Sequence, residues 1–385
     1  MKRVETGHFI ETSTGDEKVR AFIPDPLPPA LSIGEALREQ LDQALISLGR
    51  LSASTMFLPD SKLLLYLYVR KEAVLSSQIE GTQSSLSDLL LFEIDEVSGV
   101  PLADVSEVSR YVAALTHGME RMRGGFPLSN RLLREIHRVL LSEGRGNEKD
   151  PGNFRRSQNW IGGPRPALAA FVPPPADQVE PCMAALELFL HDTPQRTPLL
   201  IKAALAHVQF ETIHPFLDGN GRLGRLLISL ILCADEILVE PILFLSLYFK
   251  NHRERYYELL QAVRTDGEWE EWLDFFARAV RDTADQCTET ARRTNRLAQA
   301  DRARIQALGR IAGSATIVHQ ELLSHPLATI ARMSKATGLV PNTVTKVFAA
   351  LSEAGIVREI TGKRRNRLFA YGELIDTMDE GTKSL

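Results

Sequence analysis

The chain has 385 residues, 44% of them hydrophobic and 24% charged, a balance that excludes a disordered or fibrous protein. Single cores seldom grow beyond about 250 residues, so two or three domains are expected. With 45 Lys and Arg against 49 Asp and Glu the formal charge is only −4, which excludes a global field for nucleic acid or anionic lipid and leaves only a local patch for such binding.

Three cysteines, Cys182, Cys233 and Cys287, are too few and too widely spaced for a disulfide framework or a zinc site of thiolate pairs, and they fit a reducing compartment. The polar, mixed-charge start MKRVETGHFIETSTGDEKVR lacks the apolar stretch of a secretory signal. The most apolar run, 226–234, is far short of the roughly 20 residues that span a bilayer. A cytoplasmic protein with no membrane partner is expected.

Proline and glycine divide the chain into segments of mostly helical periodicity, so the fold class is mainly α. After an extended, Pro-rich opening (FIPDPLPPAL), apolar residues at three and four spacing predict helices over 33–51 and 63–79, the second stopped by Gly81. TQSSLSD reads as the N-cap region of a helix over 89–94, and helices over 105–123 and 130–142 follow. PGNFRRSQNWIGGPRPALAAFVPPP breaks the pattern, with two short apolar stretches about a GGPRP turn that predict a β-hairpin on a helical body. Helices resume over 179–190, 199–212, 222–234, 242–250, 254–264 and 268–282, with a charged connector helix from 283 to about 304. The last stretch predicts a helix, a turn at Gly338, a second helix opened by Pro341 and closed by Gly355, and two β-prone segments about Gly362. That is a winged helix-turn-helix pattern. Four parts are expected: an N-terminal helical region 1–105, a core 106–285, a connector helix 286–312 and a winged helix 313–385.

The densest cluster of unusual residues is HPFLDGNGRLGR, from His214 to Arg225. Gly219, Asn220 and Gly221 tolerate positive φ, so their N–H groups can converge into an anion-binding nest, and a helix starting there adds its positive dipole end. Arg222 and Arg225 share the first turn, where cations are disfavoured by roughly 0.3–1 kcal/mol each, so an anion is expected to compensate. A polyphosphate fits both features. Asp218 is a carboxylate suited to holding Mg²⁺ against it, and His214 titrates in the right range to take a proton from an attacking hydroxyl. The bland alternative is a glycine-rich interhelical loop with surface arginines and a buried histidine. No Walker A or HExxH pattern occurs, and Glu211-x-x-His214 lacks the second copy a di-iron bundle needs.

HPFLDGNGRLGR matches every defining position of the signature HxFx(D/E)GNGRxxR, and over roughly residues 20–290 the chain resembles the Fic (Fido) family. The resemblance implies a Fic-type helical core that binds Mg-ATP and transfers AMP to a Ser, Thr or Tyr hydroxyl of a target protein. By position it makes His214 the general base and Asp218 the Mg²⁺ ligand. Gly219, Asn220, Gly221 and Arg222 would hold the α- and β-phosphates, Leu223 and Gly224 would lie in the same ATP-binding stretch, and Arg225 would hold the γ-phosphate. The hairpin resembles the family's flap, on which the target would dock at 160–172. Tyr256, of the pair Tyr256-Tyr257, falls where the family has residues flanking the base. Ser76-Ser77-Gln78-Ile79-Glu80-Gly81 matches the inhibitory motif (S/T)xxxE(G/N), in which Ser76, Glu80 and Gly81 are the defining positions and Glu80 reaches the ATP site. Independently, a carboxylate at a helix C-terminus is disfavoured unless a cation pairs with it, and Arg225 is the cation the family predicts. A second reading makes the chain a nucleotide-sensing DNA-binding regulator, supported by Lys363, Arg364, Arg365 and Arg367 in the expected wing. UMP or phosphocholine transfer and AMP removal share the same phosphate machinery, and a homodimer is left open.

Overall fold

The computed structural model describes residues 6–14, 17–56, 61–94, 102–363 and 365–380. Its helical frame begins with α1 (Glu35–Met56), α2 (Ser61–Ile79), α3 (Leu86–Phe92), α4 (Leu102–Arg123) and α5 (Asn130–Leu140). Helix α2 stops as expected at Gly81, whose φ is +101°. Gly81 N–H donates to Gln78 O and Thr82 N–H to Ser77 O, the paired bonds of a Schellman end. Ser85 and Asp88 form a capping box that opens α3, and Ser129 caps α5 through Leu132 N–H.

The centre of the body is built from α6 (Ala176–Leu190), α7 (Leu199–Ile213) and α8 (Asn220–Ala234), followed by α9 (Leu245–Asn251) and α10 (Arg253–Asp266). Helix α7 is buried all round from Leu200 to Ile213, as a helix apolar on every face must be. Its one lysine, Lys202, is neutralised by Asp192 at 2.8 Å. Helix α8 packs along α7, while α2 and α4 approach α8 from the N-terminal side. Buried Glu72 of α2 accepts from Ser246 Oγ of α9, and Lys250 Nζ donates to Gln78, so α2 is fixed to the core by polar bonds as well as by packing.

Three features differ from the sequence reading. The segments expected over 268–282 and from 283 onward are one 38-residue helix, α11 (Trp269–Gln306), which contains neither Gly nor Pro to break it. Residues 7–21, to which the sequence reading assigned no element, lie largely in an antiparallel hairpin of β1 (Gly7–Thr14) and β2 (Glu17–Pro24). The hairpin expected within 151–175 has a single ladder rung, Ile161 with Phe171, and a 3₁₀ turn at Pro166–Leu168. Gly162 and Gly163 take positive φ on the turn side of that rung and Pro173 has no N–H to offer on the other, so no second rung forms.

Beyond α11 come α12 (Ala312–Ser324), β3 (Leu327–Thr329), α13 (Ile330–Thr337), α14 (Pro341–Glu353), β4 (Arg358–Glu359), β5 (Leu368–Ala370) and α15 (Gly372–Asp379), with strands in the order β3-β5-β4. Gly338 and Gly355 both take φ of +72°, at the turns where they were expected. Phe348 of α14 stacks on Phe369 of β5 at 4.2 Å. Arg364 lies outside the described residues. Tyr371 donates to the buried Asp301 of α11 at 2.6 Å, and Lys71 Nζ of α2 donates to Glu380 O. The C-terminal elements therefore rest on both α11 and α2. No described helix is long and apolar enough to cross a membrane.

Candidate active site

Helix α7 ends where His214 enters the left-handed region, φ 49° and ψ 61°, with its N–H on Phe210 O, and Pro215 prevents continuation. Two buried cations take up carbonyls that the helix end leaves open. Arg155 Nε donates to His214 O at 2.9 Å and Arg264 Nη2 to Glu211 O at 3.1 Å. The loop closes on itself through Asn220, whose Oδ1 accepts from Phe216 N–H and whose Nδ2 donates to Phe216 O. Gly219 then starts α8 with φ 75°. The Asn220 side chain is thus committed to the loop, so a phosphate could meet this residue only through its backbone N–H. The N–H groups at 220–222 open α8 without intrahelical partners, which suits them to an anion.

The imidazole of His137 stacks on Phe216 at 3.7 Å, accepts from Gly152 N–H at Nδ1 and donates from Nε2 to Asp218 O at 2.9 Å. Burial lowers its pKa to about 4, so this splint remains neutral. Nothing local in the sequence marks His137 for that task.

Arg225 is buried, with Nη2 2.7 Å from Glu80 Oε1 and 2.9 Å from Ser76 O, and with Nε 2.9 Å from Ser76 Oγ. The expected Arg225–Glu80 ion pair is thus assembled across 145 residues of sequence. Burial pushes the Glu80 carboxyl up, yet the Arg225 guanidinium prevails and holds it below the usual range. A Cβ at Gly221 would fall 2.3 Å from Glu80 Oε1, so any larger residue there would push that carboxylate aside.

Arg222 is equally buried, and its Nη1 lies 2.7 Å from Glu107 Oε1 of α4. Asp218 Oδ1 is 3.9 Å from Nη2 of the same guanidinium. Burial raises the Glu107 pKa, and Arg222 then Arg145 oppose it. Each arginine of the motif consequently faces a carboxylate from the N-terminal helices. Glu107→Ala would leave Arg222 buried without its counter-ion, so urea unfolding should show a loss of about 3–5 kcal/mol. Glu107→Gln, which keeps an acceptor oxygen, should lose less.

His214 Nδ1 has no hydrogen-bond partner, and the nearest carboxylate, Glu211 Oε2, is 4.0 Å away. Burial first, then Arg264 and Arg155, lower the His214 pKa to about 3, so the ring is neutral at physiological pH. The buried Glu211 is pushed up to about 7. Asp218 keeps a third of its side chain exposed, at the mouth of the loop. Among the described residues no group of three or more His, Cys, Asp or Glu could hold a metal. One accessible carboxylate beside a polyphosphate site still fits Mg²⁺, which commonly takes one or two carboxylates and completes its shell with phosphate and water.

Three expected ATP contacts turn inward. Leu223 is core, and Gly224 packs against Glu211 while its carbonyl accepts from His207 Nδ1 at 2.9 Å. Tyr256 is buried, stacked on Phe249 at 4.7 Å with its hydroxyl on His207 Nε2 at 2.8 Å. The open member of the pair is Tyr257, 42% exposed. Burial first and then the Glu80 charge raise its phenol above the usual range.

Residues 38–120 match the Fic/DOC family N-terminal region and residues 127–232 the Fic/DOC family domain. "Protein adenylyltransferase Fic" of Aedes aegypti is 30% identical over 252 residues, covering 64% of this chain and 46% of that protein. The protein of the same name from Culex quinquefasciatus is 32% identical over 154 residues, 40% of this chain and 28% of its own length. This chain therefore spans less than half the length of these curated relatives. A crystal structure of a Fic family protein from Desulfovibrio desulfuricans G20 shares the fold, with TM-score 0.57 and 20% identity over 89% of this chain and 98% of that one.

Proposed function

From a chain that carries the Fic/DOC N-terminal region and the Fic/DOC domain, we propose a protein adenylyltransferase that moves AMP from Mg-ATP to a Ser, Thr or Tyr hydroxyl of another protein and is restrained in cis by Glu80. The observation that carries the reading is the placement of His214, at the left-handed end of α7 with Nδ1 free of hydrogen bonds, in the loop that leads into the open N-terminus of α8. The N–H groups at 220–222 and the Arg225 guanidinium are suited to the phosphates, and Asp218 to Mg²⁺. When bound, Mg²⁺ would neutralise phosphate charge. His214 takes the hydroxyl proton as the oxygen bonds to the α-phosphorus, and the bond to pyrophosphate breaks in line. The adenylyltransferase names of relatives at about 30% identity support the same chemistry. Incubation with α-labelled ATP, GTP, CTP and UTP in cell lysate tests it. Labelling from ATP is expected, whereas labelling from UTP alone would make the transferred group UMP.

A second activity is proposed for the C-terminal elements. The α13–α14 pair, followed by the β4–β5 turn with exposed Lys363 and Arg365, fits a winged helix that meets DNA phosphates. If it does, affinity should fall with salt at a log–log slope of about −0.9 per phosphate neutralised. Binding that is absent or indifferent to salt would instead favour a docking role.

A further inference from the structure

The N-terminal hairpin and the flap are one structure. Phe22 N–H of β2 donates to Val172 O at 2.9 Å, so β2 meets the flap at its outer arm, 170–172, while 159–162 form the inner arm. The rings continue the same row: Phe9 lies 5.1 Å from Phe22, and Phe22 lies 6.1 Å from Phe171. Arg264, which also ties down the end of α7, covers the Phe171 ring at 4.2 Å. On the other face Val19, Ala21 and Val172 close a small separate core. At the tip both oxygens of Glu17 are spent on the flap, one on Arg165 Nη1 at 2.7 Å and one on Ala167 N–H at 3.0 Å. The inner arm is fixed to the catalytic loop, because Asn159 Nδ2 donates to Phe216 O at 3.1 Å. The flap is therefore held at one side by the loop that carries His214 and at the other by β2.

We propose that the β1–β2 hairpin is the holder of the flap, with Glu17 as a positioning residue that keeps the 160–172 arm where a protein segment can be presented to His214. With Val172 O taken by β2, an extended segment of the partner joins the flap at 160–162, on the other side of the Ile161–Phe171 rung. The inference rests on the flap being the docking surface of the proposed transferase.

Hydrogen exchange on the full chain tests the holding without requiring catalysis. Glu17→Ala and Arg165→Glu should each speed exchange across 161–171 by about two- to five-fold, the scale of an exposed ion pair. The double exchange Glu17→Arg with Arg165→Glu should recover part of the protection, and α8 amides should not change. In the Glu80→Gly background, adding Glu17→Ala should lower AMP labelling of lysate proteins at saturating ATP by a similar factor. The ATP concentration for half-maximal labelling should stay the same. Unchanged exchange across 161–171 in Glu17→Ala, or equal loss in α8, would overturn the proposal. If no variant labels any protein but the exchange pattern holds, the transferase reading fails and the holder stands.

Discussion

Glu80→Gly should raise AMP labelling by tenfold or more at saturating ATP and Mg²⁺. The Glu80 carboxylate occupies Arg225 Nη2 at 2.7 Å, the guanidinium that the proposed γ-phosphate site needs. A charge-assisted contact of this kind is worth about 1.5–3 kcal/mol, and about 1.4 kcal/mol corresponds to a factor of ten. Removing the carboxylate leaves the bonds from Arg225 to Ser76 O and Oγ, so the arginine remains aimed while its free edge opens. Glu80 caps the Schellman end of α2 just ahead of Gly81, so a glycine there disturbs the helix little. Arg225→Ala should lose activity, and adding Glu80→Gly should not restore it. Were Glu80 only a surface carboxylate, Glu80→Gly would leave labelling unchanged.

His214→Ala should lower transfer by about 10²–10⁴-fold, the range that a positioned general base contributes. Nucleotide binding should survive, because the imidazole acts on the attacking hydroxyl and the phosphates are left to the α8 N-terminus and Arg225. Calorimetry with ATP, beside the labelling assay, separates the two effects. Since burial and the two neighbouring arginines lower the His214 pKa to about 3, the wild-type ring needs no deprotonation near neutrality. Retained transfer in His214→Ala would remove the residue from the mechanism.

The loop from His214 to Arg225 was legible because its chemistry is contiguous: turn-forming glycines, a carboxylate and two cations stand on one short stretch between apolar helices. Glu80 was legible only through a motif, reinforced by the poor fit of a carboxylate at a helix C-terminus. Glu107 and His137 were not legible. Each is an ordinary polar residue on an amphipathic helix, and only tertiary packing brings it to Arg222 or Phe216.

Two misplacements had a readable signal. Tyr256, Leu259, Leu260 and Val263 recur at helical spacing on the buried face of α10, which leaves Tyr257 outside. The alternating runs GHFIETST and EKVRAFIP flank Gly15-Asp16, a dipeptide that itself predicts a hairpin. The weak ladder of the flap has no such local cue, since β2 and the catalytic loop hold it from outside.

In the proposed mechanism the α-phosphorus of ATP is transferred at His214 once Arg225 is released. This step is tested most directly by giving Glu80→Gly protein ATP labelled at either the α- or the γ-phosphate, with Glu80→Gly/His214→Ala as the control. Protein-bound label from α-labelled ATP only, lost in the control, is the result predicted. Label arriving from the γ-phosphate, or α-label that persists without His214, would contradict it.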